Sequence, residues 1–283
     1  ALKKTSFKIR ALSSTRLNSK NLNYLKKRFK IKKVFTNWKE CINFSKKISN
    51  LSFYLTTRIE DNKKILKSCC LTKRKIFIEK PIFDKAKNFT EYLKYNKQIF
   101  VGYNRIFYKG IEDLKKKIKL SNVSNVIIKC PEINKKQFLR NSCHIISILE
   151  FIFGDLKIVK KIKKSTFIFC LLKNKKNIPV SFYINFNNSD NFSIEIFENK
   201  KRYKISPIET IEYYNGIEKK KINNSHKYFP KKIKIIDEYN ENKFKPGFLN
   251  QAKHFKRFIN GKPVHNNIIL AKKIVKLAES ILK

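Results

Sequence analysis

Over the first hundred positions, short apolar runs alternate with amphipathic stretches of roughly 10–15 residues. Phe7 to Ser13 reads as a strand, and Asn18 to Lys30 as a helix with Leu22, Leu25 and Phe29 on one face. Trp38 to Lys47 forms a second helical pattern, followed by the apolar run Leu51 to Leu55. Asp61 to Cys70 is a third, and Ile76-Phe77-Ile78 then reads as a buried strand. Phe89 to Tyr95 gives a fourth helix and Ile99-Phe100-Val101 a further strand. Continuously apolar strands separated by helices predict a parallel sheet covered on both faces.

The texture changes after about residue 105. A helix over Ile111 to Ile118, a strand near Val126 to Lys129 and a helix from His144 to Phe153 come first. Thr166 to Leu172, Val180 to Phe186 and Phe192 to Glu198 then alternate with period two and are joined by short polar turns, which predicts an antiparallel sheet. The chain closes with two helices, and Leu270, Ile274, Leu277 and Ile281 form an apolar stripe on the last. We therefore expect an α/β domain over 1–104 and an α+β domain with an open, mainly antiparallel sheet over 105–283.

The 283 residues carry 66 Lys+Arg against 21 Asp+Glu, a formal charge of +45. Aromatic content of 13% and hydrophobic content of 42% are enough for a sizeable core, which excludes disorder by composition. Only nine of the basic residues are arginine. Lys, Asn, Ile, Phe and Tyr abound while Gly, Pro, Trp and Met are scarce, the signature of an AT-rich genome. Lysines spread along the whole chain, including Lys115 to Lys117 and Lys219 to Lys221, read as solvated faces. A specific nucleic-acid partner is not expected, because such proteins favour the planar fork of arginine. It would require lysines clustered on one face with interleaved aromatics.

Six cysteines (Cys41, Cys69, Cys70, Cys130, Cys143, Cys170) show no C-x-x-C pair, so reduced thiols and a cytoplasmic location are expected. Four histidines form no metal-binding pattern, and we expect no metal. No stretch approaches 18 apolar residues, so no membrane partner is expected.

Glu79-Lys80-Pro81 directly follows the buried strand 76–78, at the carboxyl end where open α/β sheets bind ligands. Pro81 fixes the turn, and a partly desolvated lysine held there can act as general acid or base. A strand and Gly102-Tyr103-Asn104-Arg105 come next, then His144 on a helix ending near Gly154, and finally Gln251, Phe255 and Gly261 ahead of the terminal helix. E-K-P after an apolar strand together with V-G-Y-N-R resembles the Gfo/Idh/MocA family of NAD(P)-dependent oxidoreductases, the glucose-fructose oxidoreductase and inositol dehydrogenase group. The resemblance runs from about residue 7 to the end.

The resemblance implies a Rossmann-type first domain and hydride transfer between nicotinamide and a carbinol carbon of a sugar, nucleotide sugar or cyclitol. It places Lys80 beside nicotinamide and substrate hydroxyl as proton shuttle, and His144 over the substrate as donor or second acid/base. Thr56 and Glu79 fall with Lys80 on the cofactor side, and Asn104 and Arg105 either orient that loop or serve as a structural strand end. The family often carries an aspartate four residues before the histidine and another three after it; here these are Arg140 and Ser147. Its Thr-Pro turn is Thr56-Thr57, with Asp61 where a histidine is common.

A dinucleotide-binding domain opens with a strand and a G-x-G-x-x-G turn that holds the pyrophosphate. No glycine precedes Gly102. Ala1 to Lys4 reads as the tail of a first helix and Phe7 to Ser13 as a second strand, so about 25–30 residues of a full domain are expected to be absent, judged from the size of a βαβ unit. After that strand, Ser13-Ser14-Thr15-Arg16 offers hydroxyls and a base but no acid, which leans toward NADP over NAD. A catalytically impaired relative acting as a binding or assembly subunit is the alternative. By likeness to related proteins, the alternating strands 166–198 would pair with a copy of themselves in a homodimer or homotetramer.

Overall fold

The computed structural model describes residues 1–14, 20–241 and 245–283. The chain forms two compact units, Ala1–Gly102 with Gln251–Ala271 and Tyr103–Asn250 with Lys272–Lys283.

In the first unit a 3-10 turn over Leu2–Thr5 leads into β1 (Ala11–Ser13), α1 (Lys20–Arg28), β2 (Lys33–Phe35), α2 (Trp38–Lys46), β3 (Phe53–Leu55), α3 (Ile59–Cys70), β4 (Ile76–Glu79) and β5 (Ile99–Gly102). Every pairing among these strands is parallel, as the apolar runs predict, but they fall into two sheets, β1-β2 and β3-β4-β5. The strand expected from Phe7 is confined to its last three residues. Ser6 is left-handed (φ 63°) and the Phe7 ring stacks on Phe255 at 5.8 Å, so that stretch spends its apolar side chain on packing. β2, with only two apolar residues, gave no pattern to read. The expected fourth helix is a 3-10 segment, Ala86–Tyr95. Three residues per turn bring Ala86, Phe89 and Tyr92 to one buried side, where Phe89 and Tyr92 meet Phe83 at 5.0 and 5.2 Å.

Register explains the core of this unit. Tyr54, Phe77 and Phe100 are paired across β3, β4 and β5, so their rings share one sheet face. Tyr54 stacks on Phe77 at 4.0 Å, and Phe77 on Phe100 at 5.6 Å. Phe255, on α8 (Phe248–Ile259), lies over all three at 5.5 to 6.4 Å. The return segment is also tied by its backbone, since the Val101 N–H donates to the Asn266 carbonyl at 3.0 Å.

The second unit begins with a 3-10 turn over Asn104–Phe107 and α4 (Lys109–Lys117). β6 (Val123–Glu132), α5 (Lys135–Asn141), α6 (Cys143–Phe153), β7 (Leu156–Lys163), β8 (Phe167–Asn174), β9 (Pro179–Phe186), β10 (Ser193–Glu198), β11 (Lys201–Ile205), β12 (Thr210–Ile222), β13 (Ser225–Asp237) and α7 (Glu238–Glu241) follow. α9 (Ile268–Leu282) ends the chain. One sheet runs β13-β12-β11-β10-β6-β9-β8-β7, antiparallel except for the β6–β9 pair. Ile168, Cys170 and Leu172 alternate into the core with Val180, Phe182 and Ile184. Phe138 of α5 meets Phe182 edge-on, and the Tyr213 hydroxyl donates to the Gly110 carbonyl of α4 at 3.4 Å. The opposite face is partly open: Phe169 packs on Tyr183, which is 38% exposed, and Arg202 pairs with Glu195.

The stripe Leu270, Ile274, Leu277 and Ile281 is buried as its spacing predicts. Lys161 donates to the Ser280 carbonyl, and Lys163 to those of Leu282 and Lys283. Carbonyls left over at a helix C-terminus suit cations. Among the described residues no helix is long and apolar enough to cross a membrane.

Candidate functional site

β3, β4 and β5 run parallel and in register, so they end together, with Leu55 beside Ile78 and Glu79 beside Gly102. The residues just past those ends are Thr56, Lys80 and Tyr103. Thr56 is exposed, whereas Glu79, Lys80 and Pro81 are half-buried. The apolar triplet Ile76 to Ile78 is essentially inaccessible, which anchors the polar Glu79-Lys80 pair at the sheet rim.

Gly102 is required beside that pair. A Cβ there would lie 2.9 Å from Glu79 Oε2 and 2.9 Å from Phe77 Cζ. Phe77 is wedged between Tyr54 and Phe100 and has no room to yield, so glycine at this position lets the Glu79 carboxylate lie against the neighbouring strand. Below the rim, the Thr57 hydroxyl bonds to Asn62, whose amide donates to the Ile82 carbonyl at 2.8 Å. Asn62 thus ties the start of α3 to the segment after Pro81, and sequence reading missed it because a buried asparagine carries no periodic signal.

Ser13 ends β1 and is exposed, while Ser14 is half-buried and its N–H donates to the Phe35 carbonyl at 2.9 Å. Arg16 lies outside the described residues. Thus Thr56, Glu79 and Lys80 come together at one sheet end, and Ser13 and Ser14 occupy the corresponding end of the β1-β2 pair.

Asn104 and Arg105 belong to the second unit. Asn104 is buried and donates to the Pro246 carbonyl at 3.3 Å. Its own carbonyl would collide with a Cβ on Gly247, and Gly247 has φ +78°, so only glycine fits that close approach. Arg105 pairs with Glu209 at 3.8 Å, and Glu209 also accepts from the Tyr108 hydroxyl. These contacts give both residues a structural engagement.

His144 is buried in the first turn of α6. Two of the three residues before it are fixed from β6: Glu132 at the strand end accepts bonds from the Ser142 hydroxyl and, at 3.2 Å, from the Asn141 amide. Glu132 therefore sets the junction between α5 and α6 from which His144 projects. The sequence pattern placed this strand at Val126 to Lys129, three residues short of that carboxylate. Ser147 turns its hydroxyl to the His144 carbonyl at 2.7 Å, one helical turn back, and Arg140 is exposed.

Further along α6, burial and then the charge of Asp155 push Glu150 up to about 7, against the opposing pull of Lys273. Lys273 holds Asp155 below the ordinary carboxylate range. Burial likewise raises the Cys70 thiol to about 12 and Cys170 to about 11, so these thiols are protonated at neutral pH. Among the described residues no group of three His, Cys, Asp or Glu side chains is arranged to hold a metal ion.

No protein-family model matches the chain, and no curated protein matches it in sequence. Solved structures do match. The dehydrogenase MviM from Clostridium difficile aligns with a TM-score of 0.74 at 14% identity, over 99% of this chain and 92% of that one. Levoglucosan dehydrogenase, in complex with NADH and levoglucosan, aligns with a TM-score of 0.71 at 9% identity, over 96% and 86%. The scyllo-inositol dehydrogenase of Lactobacillus casei, with bound NAD(H) and scyllo-inositol, gives 0.67 at 12% identity, over 97% and 88%. These neighbours are dehydrogenases, and the chain shares their fold.

Proposed function

We propose that this chain is an NAD(P)-dependent oxidoreductase that moves a hydride between nicotinamide and a carbinol carbon of a sugar, nucleotide sugar or cyclitol. The observation that carries the reading is Glu79-Lys80-Pro81 at the carboxyl end of β4, in a chain with the fold of dehydrogenases. The structures of two of them hold a nicotinamide cofactor with levoglucosan or scyllo-inositol. The first unit serves as the dinucleotide-binding domain and the second as the substrate and oligomerisation domain, with Gln251–Ala271 returning to the first unit from the stretch after residue 104.

The donor set at the strand ends fits such a cofactor at its ribose and nicotinamide end. Glu79 offers carboxylate oxygens to ribose hydroxyls, Lys80 its amino group, and Thr56 a hydroxyl. At the end of β1, Ser13 and Ser14 supply hydroxyls without a carboxylate, and with Arg16 they favour the extra phosphate of NADP over NAD. When bound, the nicotinamide gives or takes the hydride. Lys80 holds the substrate hydroxyl and takes its proton on oxidation, or returns it on reduction. His144 serves as hydrogen-bond donor to the substrate, its ring set by the Glu132-fixed turn. Asn104 and Arg105, paired within the second unit, support the loop that follows β5.

One observation favours the second reading, an impaired family member acting as a binding or assembly subunit. Ser147 spends its hydroxyl on the helix backbone and Arg140 is exposed, so neither supplies the carboxylate common in the family. Turnover separates the two. With NADPH or NADH and a panel of sugars and cyclitols, followed by nicotinamide absorbance, the chain should show activity that Lys80→Ala lowers by roughly 10²–10⁴-fold while its circular dichroism is unchanged. Activity unaffected by Lys80→Ala would sink the assigned role, and absence of turnover across the panel would favour the assembly subunit.

A further inference from the structure

β12 and β13 are thirteen residues each, longer than the sheet that carries them. β11 accompanies β12 only as far as the Lys201–Asn215 pair. Beyond it, Ile217 to Ile222 and Ser225 to Pro230 pair with each other, and Asn223 and Asn224, both at positive φ, close a two-residue turn. The result is a ribbon about 20 Å long with exposed side chains throughout β13 up to Ile235.

A two-stranded ribbon standing in water is marginally stable, and this one is charged against itself. From Gly216 to Lys231 it holds five lysines and one glutamate. Lys220 lies directly opposite Lys227. Like charges in cross-strand pairs oppose folding. Lysine is frequent everywhere in this chain, but a lone hairpin that stacks its cations in register is a matter of placement rather than composition.

Cross-strand partners share a face. One face carries Lys219, Lys221, His226 and Tyr228 with no acid; Tyr228 is 67% exposed. On the other, Glu218 pairs with Lys220 at 2.9 Å, and Lys220 sits 5.9 Å over the Phe229 ring. Two lysines two positions apart on a strand are separated by about 7 Å, close to the spacing of successive phosphates on a nucleic-acid strand. A two-stranded ribbon also matches the width of a duplex major groove.

We propose that this ribbon is a nucleic-acid-binding arm that contacts the phosphate backbone of a duplex without reading its sequence. Lys219 and Lys221 share one face with Tyr228, and Lys220 and Lys227 share the other with Phe229, so each face of the ribbon pairs two lysines with an aromatic ring; the proposal is independent of the oxidoreductase reading. A second copy of this ribbon is the wrong partner for the arm, because five lysines against one glutamate would meet their own charge. An anionic membrane fits poorly, since the exposed Ile217 and Ile222 point to opposite faces and leave no apolar side to insert.

The test is fluorescence anisotropy of the full chain with a labelled mixed-sequence DNA duplex of about two helical turns, from about 50 to 200 mM KCl. The wild type should saturate at about 150 mM. K219Q/K221Q/K227Q should bind at least tenfold more weakly there and flatten the salt slope by about 2 to 3, the contribution of three phosphate contacts. K46Q/K47Q/K67Q removes the same charge from the C-terminal end of α2, its following residue and α3, and should change affinity less than twofold. Equal losses and equal slopes for the two triple variants would overturn the proposal, showing only bulk attraction to +45. So would failure of the wild type to saturate, or saturable binding to phosphatidylserine vesicles without binding to the duplex.

Discussion

At the scale of single residues, Glu150 shows how burial writes itself into pH dependence. Its carboxyl is held up to about 7, first by burial and then by Asp155, so the folded state keeps a proton that the unfolded chain releases near 4.5. The contribution is full below about 4.5, is lost as pH rises toward 7, and is constant above that. Glu150→Gln should remove this loss, making the variant more stable than wild type at pH 8 by up to about 3 kcal/mol and level with it near pH 4. Urea midpoints at the two pH values check it; a variant equally destabilised at both would show that the carboxyl is needed for its shape alone. Nothing in the sequence announced this group, because Glu150 sits in an apolar helical run and its partners, Asp155 and Lys273, are brought together by folding. Lys80 was legible for the opposite reason: a local tripeptide following a buried triplet fixes its position by chain connectivity.

Elements tell a similar story. α3 was readable to within a few residues, as were the apolar β4 and β5, and the stripe read on α9 is buried. Where tertiary packing decides, periodicity misled: Phe7 joins a stack of rings instead of a longer β1, and the Ala86, Phe89, Tyr92 spacing of three favours a 3-10 segment. β11, β12 and β13 went unread because lysines interrupt their alternation, and their strand state comes from pairing partners far along the chain. The element on which the first unit depends is α8, through Phe255 and the rings of Tyr54, Phe77 and Phe100. Phe255→Ala should lower stability by about 3–5 kcal/mol, seen as a fall in the urea midpoint. A loss below about 1 kcal/mol would mean that the ring stack rearranges around the gap.

For the molecule as a whole, the sheet of the second unit has one covered face and one partly open face bearing Phe169, Leu171 and Tyr183. An apolar face of that kind calls for a partner, and we expect a homodimer or homotetramer formed through it. Sedimentation at micromolar concentration should give the oligomer for wild type and a monomer for Tyr183→Asp; a wild-type monomer would contradict the expectation. Binding of a nicotinamide cofactor by the first unit is tested by calorimetric titration of NADPH and NADH at near-physiological salt, where screening weakens the pull of +45 on phosphates. Binding should be saturable and one-to-one, tighter for NADPH, and weakened by Lys80→Ala. Absence of saturable binding by either nucleotide would contradict the proposed function.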